Sequence, residues 1–106
     1  MQTFAEFWPY YLREHSRLTT RRLHFAGTSI SIAAALCALA LRSPGLGLFA
    51  LLQGYAWAWV GHFFVEHNRP ATFKYPLWSF VSDFKMLACA ALGTLPGELK
   101  RAGVKS

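Results

Sequence analysis

Two long runs without a charged residue constrain the fold of this chain more than any other feature of its sequence. The first run extends from Leu23 to Leu41, and the second covers residues 44–65. A helix needs about 20 predominantly apolar residues to cross the hydrocarbon core of a bilayer, and each run has about this length. The two runs therefore predict two membrane-spanning helices.

The composition and the placement of charge support a single integral membrane domain over residues 1–106. The chain is 54% hydrophobic and only 15% charged, which is too apolar for a soluble domain of this size. Positive residues flank the two runs at ends that would share one membrane face: Arg13, Arg17, Arg21, Arg22, Arg69 and Lys74. This bias predicts that the shared face lies toward the cytoplasm. Membrane lipids, and no nucleic acid, are the expected partners.

We predict an all-helical architecture with the segments in the following order. They are an interfacial amphipathic helix at 1–18, transmembrane helices at 21–41 and 45–67, a third membrane helix at 77–95 and a basic tail at 96–106. Aromatic residues at helical spacing predict the first segment, with Pro9 expected in its first turn. The turn around Pro44 predicts an antiparallel hairpin. Asp83 and Lys85 interrupt the apolar character of the third membrane helix, which is either spanning or re-entrant.

The hairpin predicts that the four histidines gather at one end of the bundle. In an antiparallel pair the start of the first span lies beside the end of the second, so His24 and His62 share one depth. His15 joins them if the first segment folds over that face. Helical spacing places Glu66 on the same side as His62, whereas His67 lies about 140° around the helix.

Imidazoles and a carboxylate in a partly dry site suit a divalent transition metal. Non-haem iron oxygenases use this set of ligands, and zinc hydrolases can use the same donors. Three other interpretations stay open at this point. Two of the histidines could be axial haem ligands, all could be interfacial residues that contact lipid headgroups, or the chain could be a non-catalytic membrane subunit or lipid-binding scaffold.

Three further features each allow more than one interpretation. Arg69 could bind the carboxylate of an amphiphilic substrate, or it could serve only topology and lipid binding. Asp83 could be a metal ligand, a partner of Lys85 or Arg69, or part of a helix seam. Gly54 and Ala58 form a small-x-x-x-small pair that suits either close packing within the chain or a homo-oligomer contact.

Four motifs resemble those of a known family. They are YYLREH at residues 10–15, RRLHF at 21–25, GHFFVE at 61–66 and NRPATFKYP at 68–76. Together they are similar to the pattern of the fungal 2-hydroxy fatty acid dioxygenase family and its short bacterial branch. The resemblance covers nearly the whole chain.

The resemblance implies an iron(II)-dependent membrane enzyme that uses dioxygen to shorten a 2-hydroxy fatty acid, or a related lipid carboxylate, by one carbon. It implies that His15, His24 and His62 bind the metal. Glu66 would be a catalytic residue, either as a further ligand or as the acceptor that orients a ligating histidine. Arg69 is the candidate residue for substrate binding. His67 has no counterpart in the fungal pattern and is given no ligand role.

Overall fold

The computed structural model describes residues 1–104, and these residues form helices and no strand. The α-helices are α1 (Phe4–Arg13), α2 (Leu18–Leu41), α3 (Pro44–Val60), α4 (Pro76–Leu92) and α5 (Leu95–Arg101). A π-helical turn at Gly61–Glu66 continues α3, and a 3-10 turn at Ala71–Phe73 precedes α4. The predicted all-helical class is therefore confirmed. Lys105, in the predicted basic tail, lies outside the described residues.

A two-residue turn joins α2 to α3 where the sequence predicts it. Arg42 ends α2 in the left-handed conformation, with φ at 51°. The hydroxyl of Ser43 accepts a hydrogen bond from the backbone N–H of Leu46, and Pro44 occupies the first turn of α3. A side-chain cap followed by proline is a favourable helix start, because proline lacks the N–H that would have no partner there.

Small residues let α2 and α3 pack closely along their length. A Cβ atom added to Gly27 would lie 2.8 Å from Cβ of Trp57, and one added to Gly54 would lie 2.7 Å from Oγ of Ser31. Ser31 lies further along α2 than Gly27, whereas its neighbour Gly54 lies earlier in α3 than Trp57, so the two helices run antiparallel. Gly54 thus belongs to a packing seam within the chain.

A group of hydrogen bonds reinforces this seam in its middle. The hydroxyl of Ser31 donates to the carbonyl of Ala50, and Nε2 of Gln53 donates to the carbonyl of Gly27 at 2.8 Å and to Oγ of Ser31. Hydrogen bonds between membrane helices contribute about 0.6–2 kcal/mol each, since no water competes for the polar groups.

The outer surface of this helix pair is suited to lipid. Leu18–Leu41 and Pro44–Glu66 are long and apolar enough to cross a membrane. Many of their outward-facing apolar side chains are exposed; Leu39 is 78% exposed and Leu52 is 58% exposed. A continuous apolar surface of this kind is unfavourable in water and favourable in a bilayer. Helix α4 has 17 residues and is not among the helices that meet this criterion, so a third span stays a prediction.

The aromatic face of α1 packs against protein, which corrects the predicted contact of its aromatic residues with the headgroup region. Phe7, Trp8, Tyr11 and Leu12 are buried in a core that α4 and α5 complete. Leu95 and Leu99 of α5, together with Ala102 just after it, contribute to this core, so the part of the predicted basic tail around Leu99 and Ala102 is buried. The amphipathic pattern of α1 therefore reflects a protein core that forms beside one end of the α2–α3 pair.

Pro9 lies in the interior of α1 and not in its first turn as predicted. Proline has no N–H to donate to the carbonyl four residues earlier, which belongs to Ala5. Ala5 is exposed, so that carbonyl can be hydrated. The helix therefore tolerates the proline on its outer side.

We expect Gly27→Ala to destabilise the helix pair by about 1–3 kcal/mol, because its Cβ would overlap the backbone-proximal part of Trp57. Thermal unfolding in detergent measures this effect. Gly45→Ala is the matched control, since a Cβ at Gly45 has nothing within 4 Å. Equal melting temperatures for the two variants would contradict the packing described here.

Candidate metal centre

Three histidines from three different parts of the chain meet in one buried cluster. His15 lies in the turn after α1, His24 lies in the second turn of α2, and His62 lies in the π-helical turn. Their exposed fractions are 0%, 4% and 2%. The ring centroids are 4.3–5.2 Å apart, and one ligand atom of each residue lies within 4.8 Å of the other two.

The Nδ1 atoms of two of these rings are held by hydrogen-bond acceptors. Nδ1 of His15 lies 2.6 Å from the backbone carbonyl of Tyr11, which can only accept, so this nitrogen carries the proton. Nδ1 of His62 lies 2.7 Å from Oδ1 of Asn68. The amide nitrogen of Asn68 donates to the carbonyl of Glu14, which orients Oδ1 toward the ring. Both imidazoles therefore present an unprotonated Nε2.

Nε2 of His15 lies only 3.0 Å from Nε2 of His24. Two lone pairs at this separation repel each other unless a cation or a proton lies between them. Neighbouring ligand atoms bound at about 2.1 Å to one metal ion are about 3.0–3.4 Å apart, so the spacing suits a shared metal. Burial lowers the pKa of His15 well below its usual value, and the nearby rings of His24 and His62 act in the same direction. His15 is therefore neutral and available as a ligand.

Asp83 connects α4 to this cluster. Its Oδ1 accepts a hydrogen bond from the hydroxyl of Tyr11 at 2.5 Å and lies 3.5 Å from Nδ1 of His24. Burial and the adjacent carboxylate raise the pKa of Tyr11 well above its usual value, so the hydroxyl keeps its proton and acts as a donor. The sequence left open a metal ligand, a partner of Lys85 or Arg69, or part of a helix seam for Asp83; the contacts observed are with Tyr11 and His24.

The π-helical turn shapes the end of the second apolar segment. Its first residue, Gly61, faces Thr20, and an added Cβ would lie 3.0 Å from the methyl carbon of that threonine. His67 ends the turn in the left-handed conformation, and the N–H of Asn68 donates to the carbonyl of His62. This backbone bond brings Asn68 back beside the ring that it orients. Single π-helical turns occur frequently at functional sites.

Glu66 is the last residue of the π-helical turn, and its carboxylate lies beside the start of α2. It is not part of the cluster formed by the ligand atoms of the three histidines. Its carboxylate accepts hydrogen bonds from the hydroxyl of Ser16, the backbone N–H of Arg17 and the hydroxyl of Thr20, at 2.6–2.7 Å. A carboxylate at a helix N-terminus is favourable, since it faces the positive end of the helix dipole. The acceptors that orient His15 and His62 are other groups, and a catalytic or ligand role for Glu66 stays a prediction.

Arg21 stabilises the turn that carries His15. The side chain is buried, with 3% exposure, and it donates to the backbone carbonyls of His15 and Ser16. In the sequence, this arginine is one of the basic residues that flank the first apolar run. The i, i+4 spacing of Tyr11 and His15 was the available signal for the Tyr11 contact, and nothing in the sequence indicated the role of Arg21.

Two polar residues of the predicted site stay at the surface. His67 is exposed and does not join the other three histidines, so the predicted convergence holds for three of the four. Arg69 is also exposed. The direct neighbours of the cluster are instead Tyr11, Asn68 and Asp83.

A cavity of about 330 Å³ begins at the cluster and continues between α2, α3 and α4. His24 and Asp83 line one end. The wall is otherwise predominantly apolar, with Phe80 and Phe84 on the α4 side. The buried imidazoles therefore adjoin a space large enough for a small molecule.

These features define an all-helical protein with a buried three-histidine centre of the kind that binds a metal ion. The chain belongs to the family described as 2-hydroxy-palmitic acid dioxygenase Mpo1-like, whose profile matches residues 1–95. The suspected family is thereby confirmed. The matched region contains the three histidines together with Asn68 and Asp83. No curated protein and no solved structure matches the chain.

We expect Asn68→Ala to weaken metal binding about 10–100-fold, because His62 would lose the acceptor that orients its ring. Titration of the metal-free protein with iron(II) in the absence of oxygen measures the affinity. His67→Ala, which changes an exposed neighbour, should bind like the parent protein. Unchanged affinity in the Asn68 variant would contradict the orienting role.

Glu66→Ala should destabilise the protein by about 1–3 kcal/mol, since three donors at the start of α2 would lose a charged acceptor. At saturating metal the folded variant should still bind a full equivalent. Glu66→Gln retains a neutral acceptor, so its melting temperature should lie between those of the parent protein and Glu66→Ala. A folded Glu66→Ala protein without metal would instead support the predicted ligand role.

Proposed function

We propose that the protein is an iron(II)-dependent membrane dioxygenase that shortens 2-hydroxy fatty acids, or related lipid carboxylates, by one carbon. One observation carries the proposal. Three buried imidazoles converge, two with Nδ1 held by an acceptor and the third with Nδ1 facing a carboxylate, which is how ligating histidines are usually supported. The family description supports a dioxygenase.

The donor set fits iron(II). Imidazole ligands suit iron, zinc and copper, and non-haem iron oxygenases retain open positions for substrate and oxygen. Three histidines from this chain, His15, His24 and His62, would leave such positions. When bound there, iron would supply the means of activating dioxygen. Zinc could bind the same imidazoles, but it has no redox chemistry. A zinc centre would therefore indicate a hydrolase and not an oxygenase.

The chain's own residues would provide orientation and exclusion of water. Tyr11 and Asn68 hold two rings, and Asp83 faces the third while it accepts the Tyr11 hydroxyl. The aromatic core of α1 covers the cluster from one side. In this proposal the exposed cation Arg69 attracts the substrate carboxylate at the membrane surface, one residue after Asn68.

The cluster geometry disfavours the haem alternative. A haem held by two axial histidines requires the macrocycle to lie between their two ligating nitrogens. The Nε2 atoms of His15 and His24 are 3.0 Å apart, and the ring of His62 is packed against both, which leaves no room for a macrocycle between them.

The proposed location is the bacterial inner membrane with the cluster at the cytoplasmic face. The two apolar helices support a membrane protein, and the arginines around the cluster support this orientation. Contact with membrane lipids and self-association into a homo-oligomer are parts of this proposal that rest on the sequence.

Protein purified in detergent without oxygen and supplied with iron(II) should retain about one iron per chain, with no Soret band. His62→Ala should lose the metal while its helical circular dichroism is preserved, because the substitution removes an imidazole ligand and leaves the helical backbone in place. His67→Ala is the matched control and should retain the metal. Zinc as the only bound metal, or full iron occupancy in the His62 variant, would overturn the assignment.

Turnover tests the reaction separately. With oxygen admitted, 2-hydroxypalmitic acid should be converted to a product one carbon shorter, with consumption of oxygen. His62→Ala should reduce the rate by at least about 100-fold. Iron binding without any such product would remove the dioxygenase assignment and leave the metal centre in place.

A further inference from the structure

The cavity beside the histidine cluster is a groove that follows the α2–α3 seam into the membrane. His24 and Asp83 line its first end, and Leu36 and Gly47 line its far end. Between them the wall is formed mostly by small or apolar residues, among them Ala35, and it also includes Thr28, Ser31 and Tyr55. The imidazole and the carboxylate of the wall both lie at the end beside the histidine cluster.

The length of the groove corresponds to one hydrocarbon chain. His24 and Leu36 are twelve residues apart on α2, which corresponds to about 18 Å at the rise of an α-helix. The hydrocarbon core is about 30 Å thick, so one leaflet, and one acyl chain within it, measures about 15 Å. A polar head at His24 would therefore place the tail of a single acyl chain near Leu36.

The groove communicates with the lipid along its side. Leu36 lines it and is also 63% exposed on the outer surface of α2. An amphiphile dissolved in the bilayer can therefore enter sideways without leaving the hydrocarbon. A cavity of about 330 Å³ holds a single chain more readily than a two-chain phospholipid.

We propose that this groove binds the acyl chain of a single-chain 2-hydroxy acid, with its polar end at His24 and Asp83, and that Gly47 limits the chain length. This inference rests on the proposed function, since it assigns a binding site to the acyl chain of the substrate proposed above. Because Gly47 has no side chain, the terminal carbons can extend as far as this residue, where the groove ends.

Gly47 is suited to this role because the backbone does not require glycine there. It lies in α3, and an added Cβ would meet only Cβ of Ala38, at the ordinary distance of 3.9 Å. Gly54 also lines the groove, but a Cβ there would collide with Ser31. A side chain can therefore begin at Gly47 without the collision that a Cβ at Gly54 would cause.

Photocrosslinking locates the chain directly. We would use 2-hydroxy acids with a diazirine at the terminal carbon and the full-length protein in nanodiscs, loaded with zinc(II), which cannot consume the probe. A long probe should label Leu36, Gly47 and Leu51, and a shorter one should label Ile32 and Gly54. Labelling confined to the outer surface at Leu39 and Phe49 would overturn the proposal.

Gly47→Leu tests the length limit, with Gly45→Leu as the matched control because Gly45 is exposed and does not line the groove. Competition against the long probe would measure the affinities of 2-hydroxy acids of increasing length. In Gly47→Leu the longest acids should bind at least about tenfold more weakly, while shorter acids should bind as before. The control should keep the parent profile.

The outcomes separate this inference from the proposed reaction. An unchanged length profile in a folded Gly47→Leu protein overturns the length limit even if the parent protein turns over 2-hydroxy acids. A shortened profile together with terminal labelling at Leu36 supports the groove even if no turnover is found. The binding assays do not depend on iron or on oxygen.

Discussion

The rest of the structure depends on the burial of three imidazole rings whose free nitrogens face one another. Burying polar groups without partners is costly, and here the carbonyl of Tyr11 and the amide of Asn68 satisfy two of the Nδ1 atoms. The Nε2 atoms of His15 and His24 are 3.0 Å apart, which requires a proton or a cation between them. The chain must therefore bring three distant segments together before the site exists.

The surroundings separate this polar centre from lipid. Polar groups inside a membrane protein are tolerated where protein, and not hydrocarbon, surrounds them. Helix α1 provides that cover through its aromatic core with α4 and α5. Arg21 and Glu66 then tie the turn after α1 to the ends of the two long helices. Arg21, which the charge bias assigned to the membrane surface, is thus a structural contact of the site.

Several features could be predicted because local chemistry determines them. Uncharged runs located α2 and α3, and the Pro44 turn implied that His24 and His62 would be neighbours. The spacing of His62 and Glu66 predicted that both lie on one side of their helix, but it could not indicate which groups they would meet. The periodicity of α1 likewise specified an apolar face without specifying whether lipid or protein would cover it.

The sequence by itself determined the two apolar helices, their tight connection and the end of the bundle at which histidines would collect, since these follow from composition and helical spacing. Only the tertiary structure decided that His67 stays outside, that Asn68 and Asp83 approach the rings, and that Glu66 accepts hydrogen bonds from the start of α2. Asp83 bonds to Tyr11 across 72 positions and Glu66 bonds to Ser16 across 50, so these contacts depend on how whole helices pack. Asn68 reaches His62 across only six positions, but it does so through the π-helical turn, which helical spacing did not indicate.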